Sequence, residues 1–112
     1  MPIFERGDIV AVPFPYVEHA VLESRPAVVV SRSLGLDNAL LWVLMITSAR
    51  NAGWPGDVAV STVQETSGLR APSVIRTAKI ATVEGRVARK IGKLDADNLR
   101  RVDEALAAAL GR

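Results

Sequence analysis

The sequence of 112 residues is poor in the side chains that most often build cofactor sites: it has no cysteine and one histidine. The absence of cysteine excludes disulfides, thiolate metal ligands and cysteine nucleophiles. With a single histidine and no spaced cluster of carboxylates, the sequence predicts neither a metal site nor a cofactor. Aromatic residues make up only 4% of the chain, which argues against a broad platform for stacking nucleic-acid bases.

Long apolar runs are also missing from the sequence. No run approaches the roughly 18 residues that a membrane-spanning helix needs, and residues 1–8 contain no apolar segment typical of a signal peptide. We therefore expect a cytoplasmic protein without membrane contact. Hydrophobic residues are nevertheless 49% of the chain, enough for a core, and the length predicts one domain over residues 1–112.

The formal net charge is only +2, but the charges are unevenly distributed. The segment 70–101 is rich in Lys and Arg, whereas the segment before it is mildly acidic. The basic residues of this segment are Arg70, Arg76, Lys79, Arg86, Arg89, Lys90, Lys93, Arg100 and Arg101. This asymmetry is compatible with a basic face that attracts a polyanion, and equally with an ordinary solvated surface.

Short apolar segments separated by turn residues predict a mainly β fold of the α+β class. We expect strands over residues 7–14, 26–32, 39–48, 58–62, 73–76 and 79–84, with a brief strand or turn over 87–91. Glycine, proline and asparagine clusters lie between several of them. Closely spaced strands without intervening helices favour a small antiparallel barrel over βαβ units.

The carboxyl-terminal segment predicts one amphipathic helix. Asp95 is a good helix N-cap and Gly111 a good stop. The apolar stripe that would pack on the barrel is formed by Leu99, Val102, Leu106 and Leu110. The third strand is apolar on both faces, so we expect a homodimer to cover its outer face.

Two strand ends carry the side chains that suggest chemistry. Arg25 lies directly before the strand that starts at Pro26, and Thr47 and Ser48 close the third strand. A guanidinium offers a planar fork of donors suited to phosphate, and a hydroxyl beside it can orient or exchange a proton. A strand end is a rigid support for such groups. This pair points to phosphate chemistry, with RNA as the first substrate to test.

Seven segments follow one another along the chain: Gly7-Asp8-Ile9-Val10, Val12-Pro13-Phe14, Arg25-Pro26-Ala27-Val28-Val29, Met45-Ile46-Thr47-Ser48, Ser73-Val74-Ile75-Arg76, Lys79-Ile80-Ala81-Thr82-Val83 and Lys90-Ile91-Gly92-Lys93-Leu94. In this order they resemble the PemK/MazF (Kid-like) family of toxin–antitoxin ribonucleases. The resemblance implies a small SH3-like antiparallel barrel of the PemK/MazF/CcdB type with a C-terminal helix, and a homodimer. It also implies metal-independent, sequence-specific cleavage of single-stranded RNA to 2′,3′-cyclic phosphate and 5′-hydroxyl ends, and inhibition by a cognate antitoxin.

The resemblance also implies roles for individual residues. Arg25 falls on the family's catalytic arginine, and Thr47 on the threonine that binds the scissile phosphate. Arg76 matches an arginine that some relatives use near the phosphate. Where the family often has an acid or amide two positions later, this chain has Ala78, which leaves proton transfer to Arg25, to water or to the substrate. The other candidate RNA contacts are Ser48, Trp54, Arg70, Lys79 and His19, the last also as a general base.

Three alternatives to a ribonuclease stay open at the level of sequence. One is a non-enzymatic poison like CcdB, which binds a protein target such as gyrase, although this chain ends in a leucine/alanine helix without that group's C-terminal signature. Another is an SH3-like module that binds nucleic acid without chemistry. The third is a catalytically degenerate relative, which Ala78 keeps open.

Overall fold

The computed structural model describes residues 3–14, 23–60 and 67–112. They form one antiparallel sheet and one helix. The strands are β1 (Asp8–Phe14), β2 (Glu23–Val29), β3 (Leu40–Ser48), β4 (Asp57–Val60), β5 (Ser73–Glu84) and β6 (Arg89–Lys93), and the helix α1 spans Ala96–Ala109. The order across the six-stranded sheet is β4-β5-β3-β2-β1-β6. The predicted fold class, mainly β and antiparallel with a C-terminal helix, is confirmed.

The strands bury side chains on both faces of the sheet, as their alternation predicts. One face packs with α1, and its core is formed by Ile9, Val28, Leu44, Ile46, Val58, Val60, Leu69, Ile75, Leu94 and Val102. The other face has a second core, formed by Phe4, Val10, Val12, Ala27, Val29, Leu41, Val43 and Ala88. Both faces of β3 are thus largely covered within one chain, with Trp42 left exposed.

The second strand begins earlier than the sequence predicts. It runs over Glu23–Val29 instead of 26–32, so Arg25 lies within the strand, opposite Val12 of β1. The proline is tolerated because β3 pairs with β2 only from Ala27 onward, which leaves Pro26 at a local edge where no ladder hydrogen bond to β3 is lost.

The two short strands predicted over 73–76 and 79–84 are one strand of twelve residues, β5. The prediction was wrong because the interruption is a change of register rather than a turn. Leu44 pairs with Ile80, but the next residue of β3, Met45, pairs with Arg76. The three residues between them, Thr77, Ala78 and Lys79, form a bulge, and bulges of this kind bend a strand without ending it.

Smaller boundaries also differ from the prediction. β1 begins at Asp8 and β3 at Leu40, each one residue later than predicted. β4 begins one residue earlier, at Asp57, and is described as far as Val60. β6 covers Arg89–Lys93 instead of 87–91, because Val87 belongs to a 3₁₀ turn over Gly85–Val87.

The helix α1 begins and ends as predicted. The Asp95 side chain accepts a hydrogen bond from the backbone amide of Asn98, at 3.1 Å, as expected of an N-cap. Val102 is fully buried, and Leu99 and Leu106 pack beside it. Leu110 was wrongly included in the packed stripe: it is 72% exposed, just beyond the end of the helix. No helix in residues 3–14, 23–60 and 67–112 combines the length and apolarity that crossing a membrane requires.

Candidate functional site

The pairing of β2 with β3 brings Arg25 and Thr47 together. The last paired residues are Ala27 and Met45. Continuing this antiparallel register by two residues places Arg25 opposite Thr47, on neighbouring strands whose close pairing has just ended. Side chains opposite each other on adjacent strands lie within contact range. The arginine and the hydroxyl singled out in the sequence therefore share one place in the fold.

A small cavity of about 60 Å³ lies at this place. It is lined by Arg25, Met45, Ile46, Thr47, Arg76 and Lys79. Three of these side chains are cationic and one carries a hydroxyl, a donor set suited to a phosphate. The cavity is far smaller than the pockets that enclose whole organic ligands, so it suits a phosphate group better than a nucleobase.

Arg76 is buried at the edge of this cavity and is tightly held. Its Nε and Nη2 atoms donate to the two carboxylate oxygens of Asp57, at 3.2 Å and 3.0 Å, and Nη2 also donates to the backbone carbonyl of Asn51. Both side chains of the pair are only 9% exposed. A guanidinium has five N–H donors, and the two on Nη1 have no partner among the described residues. They remain available for an anion.

Asp57, the partner of Arg76, is a residue of the candidate site that the sequence alone does not indicate. Its Oδ2 atom also accepts from the backbone amides of Gly53 and Trp54, at 3.3 Å and 3.1 Å. The hydrogen bonds from the Arg76 side chain lower the pKa of this carboxyl below its ordinary value of 3.8, against the opposing effect of burial. Asp57 is therefore ionised at neutral pH, where it pairs with Arg76 and organises the loop before β4.

Trp54 stands beside this pair, and the residue is 46% exposed. The central carbon of the Arg76 guanidinium lies over the indole, 4.1 Å from the ring centroid, and the Lys79 ammonium lies 5.4 Å from it. Both distances are typical of cation–π contacts.

The Thr47 hydroxyl is oriented by the next turn of the chain. The side-chain amide of Asn51 donates to Thr47 Oγ1 at 2.9 Å. Since a hydroxyl is a donor as well as an acceptor, this bond leaves the Thr47 proton free to point elsewhere. Asn51 belongs to the 3₁₀ turn over Ala49–Asn51, whose N-cap is Ser48: its hydroxyl accepts from the backbone amide of Arg50, at 3.2 Å.

Only some of the remaining site residues predicted from the sequence lie at the cavity. Lys79 lines the cavity with Arg25 and Thr47. Ser48 and Arg70 are exposed and do not line it. His19 lies outside the described residues. Ala78, the departure from the family pattern, is exposed on the β5 bulge between Arg76 and Lys79.

Two larger depressions do not group several cations with a hydroxyl among the described residues that line them. One of about 390 Å³ is lined by Leu36, Ala39, Leu40, Glu84 and Arg86. Another of about 410 Å³ lies between β4 and α1. Among residues 3–14, 23–60 and 67–112, no three His, Cys, Asp or Glu side chains come together as potential metal ligands. The grouping of cations with a hydroxyl, rather than cavity size, therefore selects the site.

A comparison with protein families identifies the family of this chain. Residues 5–110 match a family model described as "PemK-like, MazF-like toxin of type II toxin-antitoxin system". The chain belongs to this toxin family. No match is found among curated protein sequences.

Solved structures support the same fold for this PemK/MazF-like toxin. Deinococcus radiodurans MazF superposes with a TM-score of 0.75 at 23% identity over 100% of both chains. An endoribonuclease of a Mycobacterial species, solved with its cognate antitoxin, gives a TM-score of 0.74 at 18% identity, covering 99% of this chain and 96% of that one. MazF in the MazE-MazF complex of Deinococcus radiodurans gives 0.73 at 24% identity, with 98% of each chain covered.

Proposed function

We propose that this toxin is a sequence-specific endoribonuclease that cleaves single-stranded RNA without a metal, leaving 2′,3′-cyclic phosphate and 5′-hydroxyl ends. The observation that carries the proposal is the cavity shared by Arg25, Thr47, Arg76 and Lys79. A related structure is described as an endoribonuclease bound to its cognate antitoxin, which supports the same activity here.

The proposed reaction is a transfer within the RNA chain. The 2′-hydroxyl oxygen attacks the adjacent phosphorus, the bond from phosphorus to the 5′-oxygen breaks, and a cyclic phosphate forms. The proton of the 2′-hydroxyl is lost and the departing 5′-oxygen gains one, so no water is consumed. Because the substrate supplies its own nucleophile, the protein has to position the phosphate and stabilise the charge that develops on its oxygens.

The roles of the lining residues follow from their chemistry. Arg25 is the proposed catalytic residue, donating to the non-bridging phosphoryl oxygens as their negative charge increases. The Thr47 hydroxyl donates a hydrogen bond to the same phosphate, while its oxygen accepts a hydrogen bond from the Asn51 side chain. Arg76 contributes the N–H groups of Nη1, and Lys79 acts as a point charge. Ala78 offers no acid or base, and a protonated guanidinium cannot accept a proton. We therefore assign water as the acceptor of the 2′-hydroxyl proton and Arg25 as the donor of a proton to the departing 5′-oxygen, which Arg25 then regains from water.

Other residues are proposed to contact the RNA outside the cavity. Ser48 and Arg70 are exposed and can bind the phosphates of neighbouring nucleotides. Trp54 can contact a base. His19 stays a candidate from the sequence alone, as an RNA contact in the segment between β1 and β2.

The proposed partner is a cognate antitoxin protein, since relatives of this fold have been solved with theirs. We also propose a homodimer, built from one domain per chain over residues 1–112 and acting in the cytoplasm on cellular RNA. The support for the dimer is the exposure of Trp42 and Ile80 on β3 and β5, which are 47% and 53% exposed. Trp42 pairs with Thr82 and Leu44 pairs with Ile80, so Trp42 and Ile80 are diagonal neighbours on the sheet. Adjacent exposed apolar side chains of this size support an interface.

The decisive experiment is cleavage of a long single-stranded RNA in the presence of EDTA, with the fragment ends mapped. The wild-type protein should give discrete cuts that carry 5′-hydroxyls. Arg25→Ala should cut about 10²- to 10³-fold more slowly, the usual effect of removing one preorganised donor. Arg32→Ala is the matched control, because Arg32 is an exposed arginine just beyond the other end of β2.

The outcomes separate the alternatives. Cuts of equal rate from Arg25→Ala would refute the assigned role of Arg25. A folded wild-type protein that makes no cuts would refute the proposed activity and favour a protein-directed poison or a degenerate toxin. Loss of the cuts in EDTA, with recovery on adding a divalent cation, would refute the metal-independent mechanism.

A further inference from the structure

The cavity lined by Arg25, Thr47, Arg76 and Lys79, called the phosphate cavity below, does not explain how the protein would contact a base. At about 60 Å³ it is too small to enclose a nucleobase beside a phosphate. Sequence-specific recognition of single-stranded RNA depends on bases that are splayed out, stacked on aromatic or guanidinium planes and hydrogen-bonded at their edges. A surface for this purpose has to lie next to the cavity and not within it.

Trp54 is an aromatic ring at this position. It contacts Arg76 and Lys79, which both line the cavity. Its exposed fraction of 46% leaves much of the indole accessible. Lys79 is also exposed, so its ammonium can move from the ring to an incoming phosphate. A base stacked on this indole would belong to a nucleotide adjacent to the bound phosphate.

The ring is also held in place, which distinguishes it from an ordinary exposed tryptophan. Arg76 supports it at 4.1 Å, and Asp57 fixes both partners by binding the Arg76 guanidinium and the Trp54 backbone amide. Thr77 adds a further restraint, since its hydroxyl donates to the Gly56 carbonyl at 2.7 Å. A preordered platform loses little conformational entropy when a base stacks on it.

We propose that the Trp54 indole, supported by Arg76 and positioned by Asp57, is the stacking platform for a nucleobase next to the phosphate cavity. The inference rests on the proposed function, because it takes the ligand to be the RNA substrate. Asp57 is here a positioning residue, which acts through Arg76 and Trp54 without touching the RNA.

The test uses the only two tryptophans of the chain. In a Trp42→Phe variant, Trp54 is the sole tryptophan fluorophore. The probes are short 2′-O-methyl oligonucleotides of A, C, G or U, which cannot be cut, and a phosphodiester of the same length and charge that lacks bases. At least one base should quench the fluorescence of Trp54 and bind about 5- to 150-fold more tightly than the base-free probe, the range expected for one stacked base.

Two further variants test the platform itself. Trp54→Phe, in which Trp42 is the sole reporter, should show no base-dependent quenching. Trp54→Ala should bring the affinity ratio between base-containing and base-free probes close to one, with little change for the base-free probe. An unchanged ratio in a folded Trp54→Ala protein, or equal binding of all probes by the wild type, would overturn the proposal.

The positioning role of Asp57 has its own readout. Asp57→Asn should reduce the affinity ratio, and Asp57→Glu should restore part of it, since it keeps the charge that pairs with Arg76. An unchanged ratio in Asp57→Asn would overturn this role. The wild-type cleavage assay separates failures: cuts in RNA without base-dependent binding would refute the platform alone, whereas base-dependent binding without cuts would refute the ribonuclease activity alone.

Discussion

At the scale of single residues, Asp57 joins the loop after β3 to the strand that carries Arg76. Its two oxygens accept from Arg76 Nε and Nη2, and Oδ2 also accepts from the amides of Gly53 and Trp54. A buried guanidinium without a counter-charge would be strongly destabilising. The carboxylate therefore makes it possible for an arginine only 9% exposed in its side chain to line the cavity that also contains Arg25 and Thr47.

Thr47 should contribute to the reaction through its hydroxyl proton. Thr47→Val keeps the shape and the β propensity but removes the donor, and we expect the single-turnover cleavage rate to fall about 10- to 150-fold, as for loss of one hydrogen bond to a charged group. Thr47→Ser keeps the hydroxyl and should retain most of the rate. Full activity in Thr47→Val would show that this hydroxyl does not bind the scissile phosphate.

The sequence was sufficient to predict Arg25 and Thr47 as neighbours but not to find Asp57. The first pair follows from two strands that are close in sequence, together with the family resemblance. The contact between Asp57 and Arg76 spans 19 residues and depends on the register of β4 against β5. An aspartate after Pro55-Gly56 looks like a turn residue, and no local pattern distinguishes one that turns inward to a buried arginine.

At the scale of elements, the bulge in β5 determines which side chains reach the site. The bulge consists of Thr77, Ala78 and Lys79. It lies between Arg76 and Ile80, which pair with the adjacent residues Met45 and Leu44 of β3. Arg76 and Lys79, which lie on either side of Ala78, thereby line the same cavity. The sequence indicated a break here, but hydrophobic periodicity cannot distinguish a turn between two strands from a bulge within one, since both interrupt the alternation.

The ion pair between Asp57 and Arg76 should make the free energy of unfolding depend on pH in the acid range. The pKa of Asp57 is lowered in the folded protein, chiefly by hydrogen bonds from Arg76. The stabilisation is therefore complete above the ordinary pKa of 3.8, taken for the unfolded state, and is lost as the pH falls through the lower folded-state value. Urea unfolding between pH 3 and pH 6 should give a smaller pH dependence for Asp57→Asn than for the wild type. Parallel profiles would contradict this account.

The cap of α1 should stabilise the helix measurably. Asp95→Ala removes the acceptor of the Asn98 amide, and we expect a loss of about 1 kcal/mol in the free energy of unfolding. Asp97→Ala is the matched control, because the Asp97 side chain is 85% exposed and only 3.7 Å from Arg100 in an exposed ion pair. Denaturant titration should give the larger loss for Asp95→Ala, and equal losses would refute the capping role.

At the scale of the whole molecule, the two ends of the sheet and the helix share one core. Val58 and Val60 of the edge strand β4 and Ile91 of the opposite edge strand β6 pack in the same cluster as Val102 of α1. A six-stranded sheet achieves this by curling, which brings β4 and β6 towards each other. The curl holds β2, β3 and β5 in the arrangement in which Arg25, Thr47 and Arg76 line one cavity.

We expect the curling to depend on the close approach of Gly68 to Ile91 of β6. A Cβ atom at Gly68 would lie 2.2 Å from the backbone carbonyl oxygen of Ile91 in β6, whereas one at Gly53 would meet no atom within 4 Å; both glycines have positive φ. Gly53→Ala should lose about 1–3 kcal/mol from backbone strain alone. Gly68→Ala should lose more, because backbone must move as well. Equal losses in urea unfolding would show that this contact is not needed for closure.

The most direct measurement for the account as a whole is mass spectrometry of the fragments from one defined RNA that contains a mapped cut site, cleaved in EDTA. We predict a 2′,3′-cyclic phosphate on the upstream fragment and a 5′-hydroxyl on the downstream one. We also predict no cleavage when the nucleotide at the cut carries a 2′-deoxyribose, because the nucleophile is then missing. A 5′-phosphate on the downstream fragment, or undiminished cleavage of the 2′-deoxy substrate, would contradict it.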